Sequence, residues 1–232
     1  MSTTTALWCV VPAAGHGRRF GSEVPKQYMP LAGQPLLVQT LDRLAAHPRV
    51  TGLMVVLSNG DPLWPGIHEL NGKPVRTAVG GAERADSVLA GLRALPESVT
   101  GRSFVLVHDA ARPCVRLQDI ERLVREAGAG EGGLLGAPLR DTLKRADAAR
   151  MSLGTEPREA RWRAFTPQMF RRDALTRALE QAIETGIAVT DEAMAMERAG
   201  IAPQLVEGAE DNIKITTRAD LAVAEFLLDR TR

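Results

Sequence analysis

The sequence predicts an α/β protein built on a doubly wound, mostly parallel sheet with a β-arm inserted in it, and three observations carry this. Short apolar runs alternate with segments of helical periodicity, as in repeated β-α-β units. Two of the runs, Leu7-Trp8-Cys9-Val10-Val11 and Phe104-Val105-Leu106-Val107, are apolar at every position, the mark of strands covered by helices on both faces. Between about Leu139 and Arg172 the pattern breaks into short polar–apolar alternations, which read as the arm.

Along the chain, Ala6 to Pro12 reads as the first strand, and Leu36 to Ala46 as a helix with apolar residues three and four apart. Strands follow over Gly52 to Ser58 and Val75 to Val79, then a helix over Ser87 to Leu95 and a strand over Phe104 to His108. A helix over Leu117 to Ala127 and a strand over Leu134 to Pro138 come next. The arm, 139–172, contains Thr142-Leu143-Lys144 and Arg161-Trp162-Arg163-Ala164-Phe165 around a loop with Gly154 and Pro157. It carries nine Lys or Arg against four Asp or Glu. A lone two-stranded hairpin is marginally stable in water, so the arm is expected to serve dimerisation; an arginine-rich edge that resists aggregation would carry the same charge. Beyond it the sequence predicts a helix over Arg171 to Thr185 and another capped by Thr190, with Asp191 and Glu192 in its first turn. A strand around Gln204 to Glu207 and a helix after Thr217 complete the reading.

With 232 residues, 44% hydrophobic and 25% charged, the chain suits one globular domain over 1–232 that includes the arm. Its 29 Lys and Arg nearly balance 28 Asp and Glu, which removes the electrostatic reason to expect binding to nucleic acid or to a membrane surface. Aromatic residues are only 4% of the chain, too few for the stacking platforms that hold single-stranded nucleic acid. Cys9 and Cys114 lack CxxC spacing, so neither a zinc site nor a disulfide framework is indicated. No run reaches the roughly 18 apolar residues of a membrane span and no leader pattern opens the chain, so a cytoplasmic protein acting on small molecules is expected. The last helix is read as ending close to Arg232, so a chain without a fused second enzyme is expected.

The first strand runs into Pro12-Ala13-Ala14-Gly15-His16-Gly17-Arg18-Arg19-Phe20-Gly21, followed by Pro25-Lys26-Gln27-Tyr28. Small residues let backbone N–H groups approach a phosphate closely, and the Arg and Lys that follow neutralise it, so this reads as a phosphate-cradling loop. It lacks the Gly-Lys-Ser/Thr of a Walker loop, and Phe20 stands where the dinucleotide fingerprint has its third glycine, which disfavours an NAD-dependent dehydrogenase. Asp109, just after an apolar strand, would lie at the sheet's carboxyl edge, where Mg²⁺ can be held along with triphosphate oxygens. An Asp at a strand end also serves as a plain helix cap or turn residue. His108 has no identifiable proton-transfer partner and reads as structural, and Arg84 with Asp86 reads as a local ion pair or as a support behind the site.

The glycine-rich loop with its downstream Pro-Lys resembles the signature of sugar-nucleotide-type nucleotidyltransferases. Gly80-Gly81-Ala82-Glu83-Arg84-Ala85-Asp86-Ser87-Val88 and Val107-His108-Asp109-Ala110-Ala111-Arg112-Pro113 are similar to signatures of the 2-C-methyl-D-erythritol 4-phosphate cytidylyltransferases, an isoprenoid-precursor family. So are Ala137-Pro138-Leu139-Arg140-Asp141-Thr142-Leu143-Lys144, Thr166-Pro167-Gln168, Thr190-Asp191-Glu192 and Glu207-Gly208-Ala209-Glu210-Asp211-Asn212-Ile213-Lys214. The likeness runs in family order from about residue 6 to 228.

The resemblance implies a Rossmann-like nucleotidyltransferase fold, a homodimer through the arm, and Mg²⁺-dependent transfer of a cytidylyl group from CTP to the phosphate of methylerythritol phosphate. By position it places Ala13, Ala14, Gly15, Gly17, Arg19, Lys26, Gly81, Ser87 and Ala110 on CTP. It places Asp109, Arg112, Thr142, Arg158, Thr166 and Lys214 on the acceptor, with Asp109 also at the metal. Arg19, Lys26, Arg158 and Lys214 are the implied catalytic groups; Arg158, in the basic arm, suggests a site completed by a partner subunit. The family often has Asp where this chain has Ala82, which leaves only backbone contact with the base at that position. Ribitol 5-phosphate as acceptor and a nucleotide-binding regulatory protein without turnover are the alternatives. The Arg140-Asp141-Thr142 and Asp211-Asn212-Ile213-Lys214 stretches favour methylerythritol phosphate over the first, and intact Arg19, Lys26, Asp109 and Lys214 speak against the second.

Overall fold

The unbroken apolar run of strand β1 (Leu7–Pro12) lies inside an eight-stranded sheet, with its first five residues buried. The computed structural model describes residues 6–15 and 24–230. After β1 come a 3-10 turn at Lys26–Tyr28, the small hairpin β2 (Pro30–Leu31) and β3 (Gln34–Pro35), and helix α1 (Leu36–Ala45). Strand β4 (Val50–Leu57), the pair β5 (Glu69–Leu70) and β6 (Lys73–Val79), helix α2 (Arg84–Arg93) and strand β7 (Phe104–Val107) follow. Helix α3 (Leu117–Ala127) and β8 (Gly132–Pro138) lead to β9 (Leu143–Ala146), β10 (Ser152–Glu156) and β11 (Trp162–Arg171). Helices α4 (Arg172–Glu184) and α5 (Glu192–Arg198), strand β12 (Gln204–Glu207) and helix α6 (Arg218–Asp229) end the described chain.

The strand order is β12-β8-β11-β7-β1-β4-β6-β5, mixed but mostly parallel, as expected. β1 pairs in parallel with β4 and β7, β4 with β6, and β8 with β12; β11 runs antiparallel between β7 and β8. Residues 162–171 therefore belong to the main sheet, whereas their polar–apolar alternation reads in sequence as part of the arm. Period-2 burial marks a strand but does not name its neighbours, and here the register with β8 shifts between Ala164 and Gln168. The free-standing part of the arm is the antiparallel pair β9–β10.

Alternate side chains of β1 feed two cores. Leu7, Cys9 and Val11 pack on one face with α1 and α3, and Trp8 and Val10 on the other with α2, α4 and α5. A third, smaller cluster joins α6 to Leu31, Leu36 and Ile215. Gly52 is required by this packing: a Cβ there would sit 2.4 Å from the Trp8 indole. Thr217 caps α6, and Asp220 Oδ2 accepts from the Thr217 N–H at 2.7 Å in return. Helix α5 is capped by Asp191 rather than Thr190: Asp191 Oδ1 accepts from the Met194 N–H at 2.9 Å. Both residue types make good caps, and the burial of Glu192, Ala193 and Met196 moves the helix start one residue along. Among the described residues no helix is long and apolar enough to cross a membrane.

Candidate active site

The carboxyl ends of β1, β6 and β7 open on a cleft of about 650 Å³, the place where a doubly wound sheet receives ligands. Ala13, Ala14, Gly15, Lys26, Gly81, Ser87, Asp109, Ala110 and Lys214, all predicted from sequence, line it together with Ala82 and Arg84. The loop after β1 is held from beneath. Gln27, 5% exposed, donates from Nε2 to the carbonyls of Ala13 at 2.8 Å and Gly15 at 3.0 Å, and the Ala13 N–H donates to the Val56 carbonyl at 2.7 Å. Lys26 reaches across to the Ile215 carbonyl at 3.0 Å, which ties the first loop to the segment carrying Lys214. The opposite wall is the β6–α2 turn. A Cβ on Gly80 would stand 2.7 Å from the Ala14 Cβ and the Ser87 Oγ, so this glycine lets the walls meet, and one on Gly81 would stand 2.4 Å from the Asp86 Cβ, so that glycine lets the turn close onto α2. Asp86 Oδ2 accepts from the Glu83 N–H at 3.0 Å and starts α2; it is not the partner of Arg84.

At the floor lies Asp109, 7% exposed, gripped by cations from three directions. Its Oδ1 accepts from Arg84 at 3.1 Å, and its Oδ2 lies 2.9 Å from Lys214 Nζ and 3.5 Å from Arg112 Nε. Burial alone would raise the Asp109 carboxyl, but Arg84, Lys214 and Arg112 hold it well below the usual carboxylate range. Arg84 in turn forks onto Glu192, with Nη1 at 2.5 Å and Nη2 at 3.1 Å. Arg112 donates from Nη1 to the Asn212 carbonyl at 2.6 Å, and Asn212 Nδ2 donates to the Thr166 carbonyl at 2.8 Å. The loops after β7 and β12 are thereby locked to strand β11.

His108 is fully buried, and burial lowers its imidazole to about 4, so it is neutral. A carbonyl only accepts, so the 2.9 Å contact with the Arg112 carbonyl puts the proton on Nε2. Nδ1 then accepts from the Thr166 hydroxyl at 3.1 Å, while Thr166 Oγ1 accepts from the Asp109 N–H at 3.0 Å. Thr166 is left with acceptor capacity only. The structural reading of His108 thus gains content: it orients a predicted acceptor-site hydroxyl.

Thr142 and Arg158 are not brought to the cleft. Both are exposed at the arm, where Arg158 donates to the Arg140 carbonyl. Gly17 and Arg19 lie outside the described residues. Gln27 and Glu192 are the supports that sequence reasoning passed over. Gln27 stood in view beside Lys26, but Glu192 lies 108 residues from its partner Arg84, a pairing that no local pattern signals.

A family model described as 2-C-methyl-D-erythritol 4-phosphate cytidylyltransferase matches residues 7–230. A protein of that name from Xanthomonas euvesicatoria pv. vesicatoria is 59% identical over 227 residues, covering 97% of this chain and 86% of its own. Another from Xylella fastidiosa is 58% identical over 229 residues, covering 98% and 99%. The crystal structure of a 4-diphosphocytidyl-2C-methyl-D-erythritol synthase superposes with a TM-score of 0.82 at 33% identity, over 97% of this chain and all of the other. The Francisella tularensis 2-C-methyl-D-erythritol 4-phosphate cytidylyltransferase gives 0.83 at 32%, over 96% and 99%. A cleft built from the expected residues at the expected sheet edge, and a family match over almost the whole length, lead to one conclusion: the chain belongs to the 2-C-methyl-D-erythritol 4-phosphate cytidylyltransferase family.

Proposed function

We propose that the chain joins CTP to 2-C-methyl-D-erythritol 4-phosphate, giving 4-CDP-2-C-methyl-D-erythritol and pyrophosphate. The observation that carries this reading is the convergence of Lys26 and Lys214 on one cleft around the buried, ionised Asp109. An oxygen of the acceptor phosphate attacks the α-phosphorus in line. The new P–O bond forms as the bond to the β-phosphate oxygen breaks, and pyrophosphate carries the electron pair away. The attacking group is already an anion at neutral pH, so the chain must align two anions and neutralise the charge that accumulates between them.

Lys26 suits the triphosphate side and Lys214 the acceptor side. Asp109 fixes Lys214 by its 2.9 Å ion pair, and Thr166, an acceptor only, suits a hydroxyl of the polyol. Mg²⁺ belongs to the same proposal. Both Asp109 oxygens are engaged by protein cations, and no cluster of three His, Cys, Asp or Glu suited to a metal exists among the described residues. That donor set fits a cation that arrives on the triphosphate, kept by phosphate oxygens and water with Asp109 beside it. Its chemistry would be neutralisation of the leaving pyrophosphate. Pyrophosphate release from CTP and Mg²⁺ with methylerythritol phosphate, and none with ribitol 5-phosphate, is the expected result; release with ribitol phosphate alone would overturn the choice of acceptor.

The dimer is part of this reading. Leu143, Met151 and Leu153 are 38%, 66% and 55% exposed on a two-stranded arm that no other element among the described residues covers. A partner covering that face would also bring Arg158 and Thr142 toward a cleft they do not reach in their own subunit. Light scattering is expected to give a dimer, and a chain with 143–156 replaced by a short Gly-Ser linker a monomer that binds CTP but does not turn over. A monomeric native chain with full activity would overturn it. A reducing, cytoplasmic setting is supported by Cys9 and Cys114, both buried and unpaired.

A further inference from the structure

Four charged groups at the cleft floor come from four separate parts of the chain. Arg84 opens α2, Asp109 follows β7, Glu192 opens α5 and Lys214 follows β12. Three have places in the proposed reaction or beside it; Glu192, 1% exposed, has none. A carboxylate that deep is costly unless it is paired and hydrogen-bonded. Its partner is the Arg84 guanidinium, which meets it in a two-bond fork at 2.5 and 3.1 Å, the geometry that gives direction as well as attraction. The same guanidinium donates from Nε to Asp109 Oδ1 at 3.1 Å. Arg84 therefore lines the cleft with each of its three guanidinium nitrogens engaged by one of two carboxylates.

Glu192 is itself a fixed point. Gln168, 1% exposed, accepts from the Ala193 N–H at 2.7 Å and donates to Asp191 Oδ2 at 2.9 Å, and Asp191 Oδ1 caps the helix at the Met194 N–H. The start of α5 is thus pinned to β11 on both sides of Glu192. We propose that Arg84 and Glu192 are positioning residues for the transfer reaction: Glu192 anchors the Arg84 guanidinium, which holds Asp109 Oδ1 so that Oδ2 stays turned toward Lys214. The proposal rests on the cytidylyltransferase reading. Asp109 then has one orientation rather than several, and Lys214 stands where the acceptor phosphate must be met. Glu192 also neutralises Arg84, so that its charge is not offered to the triphosphate in competition with Lys26.

The test uses a property of buried ion pairs: removing one member destabilises, whereas replacing both by apolar side chains of similar volume often restores stability. In the double variant R84M/E192L the melting temperature is expected to stay near that of the native chain. Its kcat/KM for methylerythritol phosphate is expected to fall on the order of 10²-fold, the scale of a displaced reacting group, with KM for CTP unchanged. Arg84→Lys keeps the charge but cannot span both carboxylates, and is expected to fold and show the same one-sided loss. Should the double variant not fold, Arg84→Lys decides alone. A folded variant of either kind with native acceptor kinetics would overturn the proposal by showing the pair to be structural. An equal rise in both KM values would overturn it by showing Arg84 to be a nucleotide contact. The native chain run alongside separates these outcomes from failure of the functional reading, which would silence it as well.

Discussion

Lys26→Ala is expected to lower kcat by about 10³-fold, within the range seen when a cation facing a transferring phosphoryl group is lost. The size follows from the geometry. Lys26 stands on a three-residue turn whose neighbour Gln27 is locked to the carbonyls of Ala13 and Gly15, so its stem has a fixed base. It lines the same cleft as Asp109 and Lys214 and spans from the first loop to the Ile215 carbonyl. A charge so placed acts chiefly where negative charge grows, at the α-phosphate as attack proceeds. The loss should therefore fall on kcat and kcat/KM together, with CTP affinity changed much less. Lys26→Arg should recover part of the activity, because the planar fork keeps the charge but not the compact ammonium. The melting temperature should hardly move. Single-turnover kinetics with a separate CTP binding measurement would check this, and a kcat within tenfold of native would remove Lys26 from the chemistry.

Much of the cleft's lining was legible in the sequence, and the reason is local. The loop after β1, the Gly80-Gly81 turn and Asp109 each belong to a short stretch at the end of a strand. A strand that is apolar throughout announces both its burial and the place where its chemistry begins. What was not legible is long-range. The alternation of 162–171 showed a strand but not that it enters the main sheet between β7 and β8. Thr190 and Asp191 are adjacent and both suited to capping, and the decision was made by the buried side of α5, not by either residue. Arg84 with Asp86 read either as a local pair or as a support behind the site, and the sequence did not name the partners. The fold gave Asp86 to the helix start and sent Arg84 to Asp109 and Glu192 instead. His108 likewise carried no sign of function beyond its neighbour, and its tautomer became readable only from the carbonyl and hydroxyl that flank it.

Asp109→Asn is expected to cost both activity and stability, and the pH dependence of the second distinguishes the cause. An amide of nearly the same shape keeps the packing but leaves Lys214, Arg112 and Arg84 facing a neutral group. Breaking a buried pair from one side destabilises by about 3 to 5 kcal/mol; Glu192 still serves Arg84 here, so the lower end, about 3 kcal/mol at neutral pH, is the expectation. Activity should fall on the order of 10²-fold or more as Lys214 loses its fixed direction. The sign of the linkage is set by the environment: burial would raise the carboxyl, and the three cations lower it further than burial raises it. A carboxyl whose folded value lies below its unfolded value of about 3.9 stabilises fully above that value, and the contribution is lost as pH falls from there through the folded value. The gap in urea midpoint between native chain and variant should thus be constant from neutral pH down to about pH 4 and close only in stronger acid. If burial prevailed instead, the carboxyl would be raised, ionised Asp109 would be a liability at neutral pH, and the asparagine variant would be the more stable protein there. That outcome would refute the ionised Asp109 on which the orientation of Lys214, and with it the acceptor side of the site, depends.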